Sequence, residues 1–391
     1  MKPNVLQLVG SFHQGGSERQ AVQLARLLHA SGRYRVRVAC LDAGGPLRAE
    51  VEGLSLGEVE EYPLTSFYDR NALAQLRRFA ARLRERRVDL VQTHDFYTNV
   101  FGMAGAWLAR VPARVAAKRE TGGVRSGAQR ATERAAYKLA HAVVANSEAV
   151  RRQLIGEGVP AQKVFTVYNG LDPARVSPPE GFRRGDALAR LGLPEGRPLV
   201  TLVANLRHAV KDHPTFLRAA RRVREAVPDA AFVLAGEGEL TGQVRALAAR
   251  LGLEGDVFFT GRCAEVGPLL AVSEVCVLSS SAEGFSNAIL EYMAAARPVV
   301  ATDVGGAREA VAEGETGHLV AAGDDAAMAA RLVELLRDPA RAREMGERGR
   351  RRVAERFSCA AQLERTEALY ERLLARSKTK EVSSFEFRVS S

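Results

Sequence analysis

Glu283-Gly-Phe-Ser-Asn-Ala-Ile-Leu-Glu291 places two carboxylates, with seven residues between them, around the expected start of a helix. The apolar run 275–278 reads as a buried strand, 279–284 as a polar loop, and Asn287 as the N-cap of a helix over 288–296. Glu283 then sits on the loop and Glu291 on the second helical turn. A capping box needs Glu or Gln three residues after the cap, and Leu290 and Ile289 stand there instead. Glu291 is therefore expected to be free for a ligand. Carboxylates suit sugar hydroxyls, and the open N–H groups of a helix start suit a phosphate. The alternative is a pair of solvated helix-end charges.

Three more groups follow strand-like runs. Gly15-Gly16-Ser17 opens a helix where a backbone can approach a diphosphate, although GxGxxG is absent and a tight turn reads equally well. His94, in Thr93-His94-Asp95, stands where a neutral imidazole can bond a hydroxyl or phosphate oxygen, or serve the core. Asn205-Leu-Arg207-His208 with Lys211-Asp212 puts permanent cations beside a strand end, where they suit a leaving diphosphate or form a solvated loop.

The elements that position these groups alternate strand and helix. Strand-like runs at 5–9, 35–41, 90–93, 142–145 and 164–167 are separated by helical stretches such as 17–31 and 70–87. The pattern resumes after a Pro- and Gly-rich stretch at 172–181, with runs at 199–204, 231–235, 257–260, 275–278, 299–302 and 318–320. Alternation of this kind means parallel sheets covered by helices on both faces. The expected fold is α/β: two Rossmann-like domains, 1–178 and 179–358, facing across a cleft with ligands beyond the carboxyl ends of the strands. Residues 359–376 are expected to cross back to the first domain as a helix, and 377–391 to form a mobile tail.

With 391 residues, 46% hydrophobic and 26% charged, the chain has the composition of a two-domain globular protein and no apolar run of about 18 residues. The start shows no signal peptide. The four cysteines lack CxxC spacing, so neither a metal site nor a disulfide framework is expected, and the compartment is read as a reducing cytoplasm. Net charge is +10, and residues 1–180 hold 26 Lys and Arg against 17 Asp and Glu, an excess of nine. That half could face anionic lipid, nucleic acid or a phosphate-bearing substrate, or be a solvated arginine-rich surface. Leu73, Leu76, Phe79 and Leu83 share one side of the 70–87 helix, fit either to meet an inner-leaflet surface or to pack on their own sheet.

Taken in order, these features resemble the retaining glycosyltransferases of the GT-B type, glycosyltransferase family 4, over about residues 5–370. The resemblance is carried by Glu283–Glu291 with Pro298-Val-Val-Ala-Thr-Asp-Val-Gly-Gly306, Gly236-Glu-Gly238, Phe259-Thr-Gly-Arg262, Thr316-Gly-His-Leu319 and Tyr168-Asn-Gly-Leu-Asp172. It implies that Glu291 holds the ribose hydroxyls of a nucleotide sugar, and that Glu283 with the backbone of Gly284, Phe285, Ser286 and Asn287 holds the sugar and phosphates. Lys211 and Arg207, with Asn205 and Gly236 nearby, would meet the diphosphate. Gly15 and Gly16 would approach it from the first domain, Arg262 would lie near the base, and His94 would contact the transferred sugar. Asn205 stands where the family pattern has Arg, and Ala296 where it has Gly at the end of the motif helix.

The implied reaction moves a sugar from a UDP- or GDP-linked donor to a glycan or lipid-linked acceptor in polysaccharide biosynthesis, with retention. It implies no metal and no cofactor; no nucleic acid partner is expected, and a peripheral place on the inner membrane face is. The alternatives are a non-catalytic nucleotide-sugar-binding protein and an NAD(P)-dependent oxidoreductase of Rossmann type.

Overall fold

The computed structural model describes residues 2–67, 69–121, 126–263 and 266–389, with 378–389 as backbone. The chain forms two compact units, each built on one parallel sheet. The first holds the chain up to Arg119, on through Asn169, and again from Cys359; the second holds Gly170–Ser358 with Glu120 and Thr121. Passage to the second unit comes at Gly170, ahead of the expected 178/179 boundary. The cause is local: Leu171 is buried, its N–H donates to Phe357 O at 2.8 Å, and Asp172 caps the 3-10 turn Pro173–Arg175. The Pro-rich stretch thus belongs to the second unit's packing.

The first sheet has seven strands, β1 (Asn4–Val9), β2 (Arg35–Cys40), β3 (Glu60–Glu61), β4 (Leu90–Thr93), β5 (Ala113–Lys118), β6 (Ala142–Ala145) and β7 (Val164–Thr166), in the order β3-β2-β1-β4-β5-β6-β7. Strand alternation sorts its side chains: Val5 and Val9 join one core layer, Leu6 and Leu8 the other. Each layer is roofed by helices, and so the strands read as short, nearly continuous apolar runs. The order reverses between β1 and β4, which leaves a crevice at their carboxyl ends flanked by the loops carrying Gly15 and His94.

The helix Arg70–Glu85 is held at its start by Asp69, which accepts from Ala72 N–H at 2.7 Å. Phe79 and Leu83 are fully buried, Leu76 packs against the same layer, and Phe79 meets Tyr62 edge to face at 5.0 Å. Each of those buried side chains contributes about 1.5–3 kcal/mol. Of the four apolar residues on that side, only Leu73 stays exposed.

The second sheet has six strands, β8 (Leu199–Val203), β9 (Ala231–Ala235), β10 (Val257–Gly261), β11 (Val275–Leu278), β12 (Val299–Thr302) and β13 (Gly317–Val320), ordered β10-β9-β8-β11-β12-β13. Its order reverses between β8 and β11. The loops after those two strands are the ones that carry Lys211 and Glu283.

The last helix, Cys359–Val389, returns to the first unit. Leu369, Tyr370 and Leu373 enter the layer that holds Val5 and Val9, while Gln362 bonds Gln20 at 2.9 Å and Arg33 bonds Glu367 at 2.8 Å. Its backbone runs on through the stretch expected to be a mobile tail, and Ser390 and Ser391 lie outside the described residues. Cys40 and Cys276 are buried, and all four cysteines are free thiols. Among the described residues there is no metal-binding cluster, and no helix is long and apolar enough to cross a membrane.

Candidate functional site

In the second unit the loops after β8 and β11 are sewn together by backbone. Ser281 N–H donates to Val210 O at 2.8 Å, and Ser279 Oγ to Lys211 O at 2.8 Å. Lys211 closes the 3-10 turn Ala209–Lys211, and Asp212 follows in the left-handed region at φ 43°. That conformation costs an L-residue about 1–2 kcal/mol. Asp212 offsets part of it by capping the helix His213–Ala226, accepting from Thr215 N–H at 3.2 Å and Thr215 Oγ1 at 2.6 Å. The result aims Lys211 across to the neighbouring loop. Its Nζ meets Glu283 Oε1 at 2.6 Å, and Ser280 Oγ donates to that same oxygen at 2.8 Å.

Glu291 lies on the helix Asn287–Ala294 and is not free: its Oε1 sits 3.2 Å from Arg175 Nε. The two motif carboxylates are therefore each held by a separate cation. Arg175 is the residue that sequence reasoning missed. Its only signal was its place three residues beyond Asp172, the last residue of the Tyr168–Asp172 run and the cap of the turn that presents it.

The residues between the glutamates divide by role. Phe285 is buried, its ring 5.2 Å from that of Phe357, so its side chain is core and only its backbone can meet a ligand. Ser286, not Asn287, is the N-cap, because the helix starts one residue earlier than expected; Ser286 makes no capping bond. Its side chain thus caps none of the first-turn N–H groups. Gly306 N–H donates to Gly284 O at 2.8 Å, and a Cβ on Gly305, at φ 54°, would stand 1.9 Å from Glu283 O. The Gly305-Gly306 pair is the floor on which residues 283 and 284 rest.

Gly236 is a packing residue of this kind. At φ 153° it lies so close to the loop after β8 that a Cβ would come 1.9 Å from Ala204 O. Asn205 and Arg207 are exposed on that loop, with Arg207 N–H on Asn205 Oδ1 at 3.3 Å, and Arg262 is exposed after β10. Neither Arg207 nor Arg262 forms an ion pair among the described residues. The structure brings Lys211 to Glu283 but leaves Arg207 outside that contact.

In the first unit Gly15 caps the helix Gly16–Ala30 with its own extended backbone. Glu18 folds back over it, so that a Cβ at position 15 would meet Glu18 Oε2 at 2.0 Å. Burial, the largest influence, raises the Glu18 carboxyl above its ordinary value. His94 is buried with both ring nitrogens engaged: Nε2 lies 2.8 Å from Gln7 Oε1, and Nδ1 lies 3.3 Å from a terminal nitrogen of Arg119. Arginine can only donate, so Nδ1 accepts and the proton sits on Nε2. Burial first, and then the Arg119 charge, hold His94 well below the usual histidine range. His94 is a neutral imidazole tied into the core beside Arg119.

The second unit thus presents a cation–carboxylate pair, a second carboxylate and an uncapped helix start at the switch point of a parallel sheet. Such a set can take hydroxyls and a phosphate together. The description Glycosyl transferases group 1 matches residues 197–338, and Glycosyltransferase Family 4 matches residues 14–175. The chain is 32% identical to the alpha-maltose-1-phosphate synthase of Mycobacterium tuberculosis, over 73% of this chain and 79% of that one. It is 32% identical to the N-acetyl-alpha-D-glucosaminyl L-malate synthase of Bacillus anthracis, over 54% of each chain; here it spans about half the relative's length. The Anabaena Alr3699/HepE structure in complex with UDP has the same fold, with a TM-score of 0.82 and 22% identity over 94% of this chain and 99% of that one. The chain belongs to the group 1, family 4 glycosyltransferases.

Proposed function

We propose that this protein transfers a hexosyl group from a UDP- or GDP-linked donor to a hydroxyl of a glycan or lipid-linked glycan, with retention of anomeric configuration. The observation that carries the reading is the Lys211–Glu283 contact at the β8/β11 switch point, beside an uncapped helix start. The fold shared with a UDP-bound structure supports a nucleotide donor.

As the sugar–phosphate bond breaks, negative charge grows on the diphosphate. Lys211 and the N–H groups at residues 286–288 are placed to meet it, and Glu283 orients both the lysine and the sugar hydroxyls. Glu291 receives ribose hydroxyls, with Arg175 fixing its carboxylate. With those charges supplied by the chain, the reaction needs no divalent ion and no cofactor. The departing phosphate oxygen takes the acceptor proton on the same face of the sugar.

The acceptor belongs to polysaccharide biosynthesis on the cytoplasmic side of the membrane. The excess of positive charge in the first half supports an anionic acceptor or surface.

Incubating the protein with UDP- and GDP-sugars in EDTA, and reading the product anomer by NMR, tests the reaction. Glu291→Ala should raise donor KM about tenfold or more with a smaller change in kcat. An inverted product would overturn retention, loss of turnover in EDTA would overturn metal independence, and nucleotide-sugar binding without turnover would favour the sensor reading.

A further inference from the structure

We propose that Arg119 is the centre of an anion subsite in the first unit that takes a phosphate group, and that a hydrogen-bond relay from the last helix aims it. This rests on the first unit alone and does not depend on the donor assignment of the second.

Arg119 follows directly on β5. One terminal nitrogen donates to Asn169 Oδ1 at 2.9 Å, the other to His94 Nδ1 at 3.3 Å, and its Nε is enclosed with no protein partner. Both acceptors are neutral. Among the described residues no carboxylate comes within ion-pair distance; Glu18 and Asp95 reach it only through their longer-range fields. A largely enclosed guanidinium normally meets a carboxylate or several carbonyls, because an uncompensated charge away from water is costly. Two other largely enclosed arginines obey that rule. Arg197 bonds Asp229 O, Ala230 O and Asp256 Oδ1, and Arg352 bonds Ala310 O and Glu309 O. Arg119 departs from it, keeping its charge and part of its donor fork unspent.

The relay explains how the fork is held. Tyr370 Oη, on the last helix, donates to Gln92 Oε1 at 2.5 Å and accepts from Gln7 Nε2 at 2.9 Å. That fixes the Gln7 amide with its oxygen toward His94, which donates to it through Nε2. His94 must then offer its Nδ1 lone pair, and only a donor such as Arg119 can meet it. Gln7, Gln92, His94 and Tyr370 are all at most 2% exposed. Four buried polar side chains bonded in one direction define a single orientation for the group at the end. A planar fork with free donors fits a phosphate's oxygens, and the positively charged half around it favours that charge. The same phosphate chemistry could come from a phosphorylated acceptor or from the donor's diphosphate.

The test is titration of the full chain with inorganic phosphate, and separately with UDP, following the arginine Nε–H and histidine signals by NMR. Phosphate should move the Arg119 signal; Arg119→Gln should weaken phosphate binding at least tenfold while UDP affinity changes less than twofold. Arg119→Lys, which keeps the charge, should retain part of that affinity and controls for folding. Movement of Arg119 by UDP alone would assign the phosphate to the donor, and no movement by either ligand would overturn the subsite. Tyr370→Phe should shift His94 toward the other tautomer and weaken phosphate binding several-fold. An unchanged tautomer with unchanged binding would overturn the relay.

Discussion

Lys211 Nζ and Glu283 Oε1 are 2.6 Å apart, joining two loops that lie 72 residues apart in sequence at the one place where the second sheet reverses its strand order. The pair is a single device: the lysine is aimed by the carboxylate, and the carboxylate is oriented by the lysine and Ser280.

Lys211→Ala should therefore lower kcat by about 10²–10³-fold, the range for removing one preorganised donor from a developing charge. Glu283→Gln should lower it as well, since the amide cannot hold the ammonium as an ion pair. Because both losses come from one contact, the double variant should lose less than the product of the single losses. Steady-state kinetics of the three variants decides it, and losses that multiply would mean that the residues act separately.

The sequence offered Lys211 and Glu283 as separate candidates because both follow strands, and parallel sheets gather strand ends at a switch point; the contact between them is a finding of the structure. It could not announce Arg175. A linker arginine looks like any solvated charge until Leu171 pins the linker to Phe357 and swings it toward Glu291. The sequence offered Phe285 through its backbone alone and did not show where its ring goes: within a short loop, successive residues divide between backbone open to a ligand and side chains that anchor the loop to the core, and the Phe285 ring packs on Phe357. The N-cap moved by one residue because Ser and Asn are nearly equal caps. His94 was placed at a strand end correctly, yet its burial depends on Gln7 and Arg119, which are distant in sequence. The fold was more legible than the site because strand and helix alternation is a local signal, whereas pairing of side chains is not.

Ala296 shows where the chain departs from its best local choice. It follows the motif helix at φ 56°, a region that costs alanine about 1 kcal/mol relative to glycine. Gly346 lies against it, since a Cβ there would stand 2.1 Å from Ala296 O. Ala296→Gly should stabilise the protein by about 0.5–1 kcal/mol, after some of the gain is lost to the freer unfolded chain. Thermal unfolding should show a rise of about 1–4 °C at unchanged turnover. Gly346→Ala should lower Tm, and a fall in Tm for Ala296→Gly would show that the alanine methyl contributes more than the strain costs.

Two buried histidines set a pH dependence of stability. His94 is held well below its ordinary value by burial and Arg119, and His213 is lowered to about 4 by burial and then Lys211. Both are neutral in the folded chain at pH 6, while the unfolded chain takes up protons below about 6.5. Depressed folded values mean that the unfolded state binds more protons in this window, so stability falls as pH drops from about 7 toward the folded values. The slope approaches about 1.4 kcal/mol per pH unit for each group. The urea midpoint should fall between pH 7 and 5, and His94→Gln should flatten that fall; a slope identical to that of the parent protein would contradict it.

The same burial redirects any contact with a membrane. Phe79 and Leu83 are sealed against the first sheet, with Leu76 packed beside them, so the amphipathic face of the helix Arg70–Glu85 cannot insert without unfolding that layer. The apolar side chains that remain outside include Trp107, 57% exposed, and Leu108, 39% exposed, at the end of the helix Phe96–Leu108. Arg84 reaches Leu108 O at 2.8 Å, and Arg110 is exposed two residues on. An aromatic ring beside arginines is the chemistry of an interfacial anchor on anionic lipid. Co-sedimentation with phosphatidylglycerol vesicles should therefore be strong at low salt and weaken as the Debye length shortens. Trp107→Ala should reduce it several-fold and Leu73→Ala by less, because Trp107 presents the larger ring and sits among the arginines. Equal loss from both substitutions would spread the contact over the whole helical layer, and no sedimentation at low salt would remove the membrane from this protein's partners.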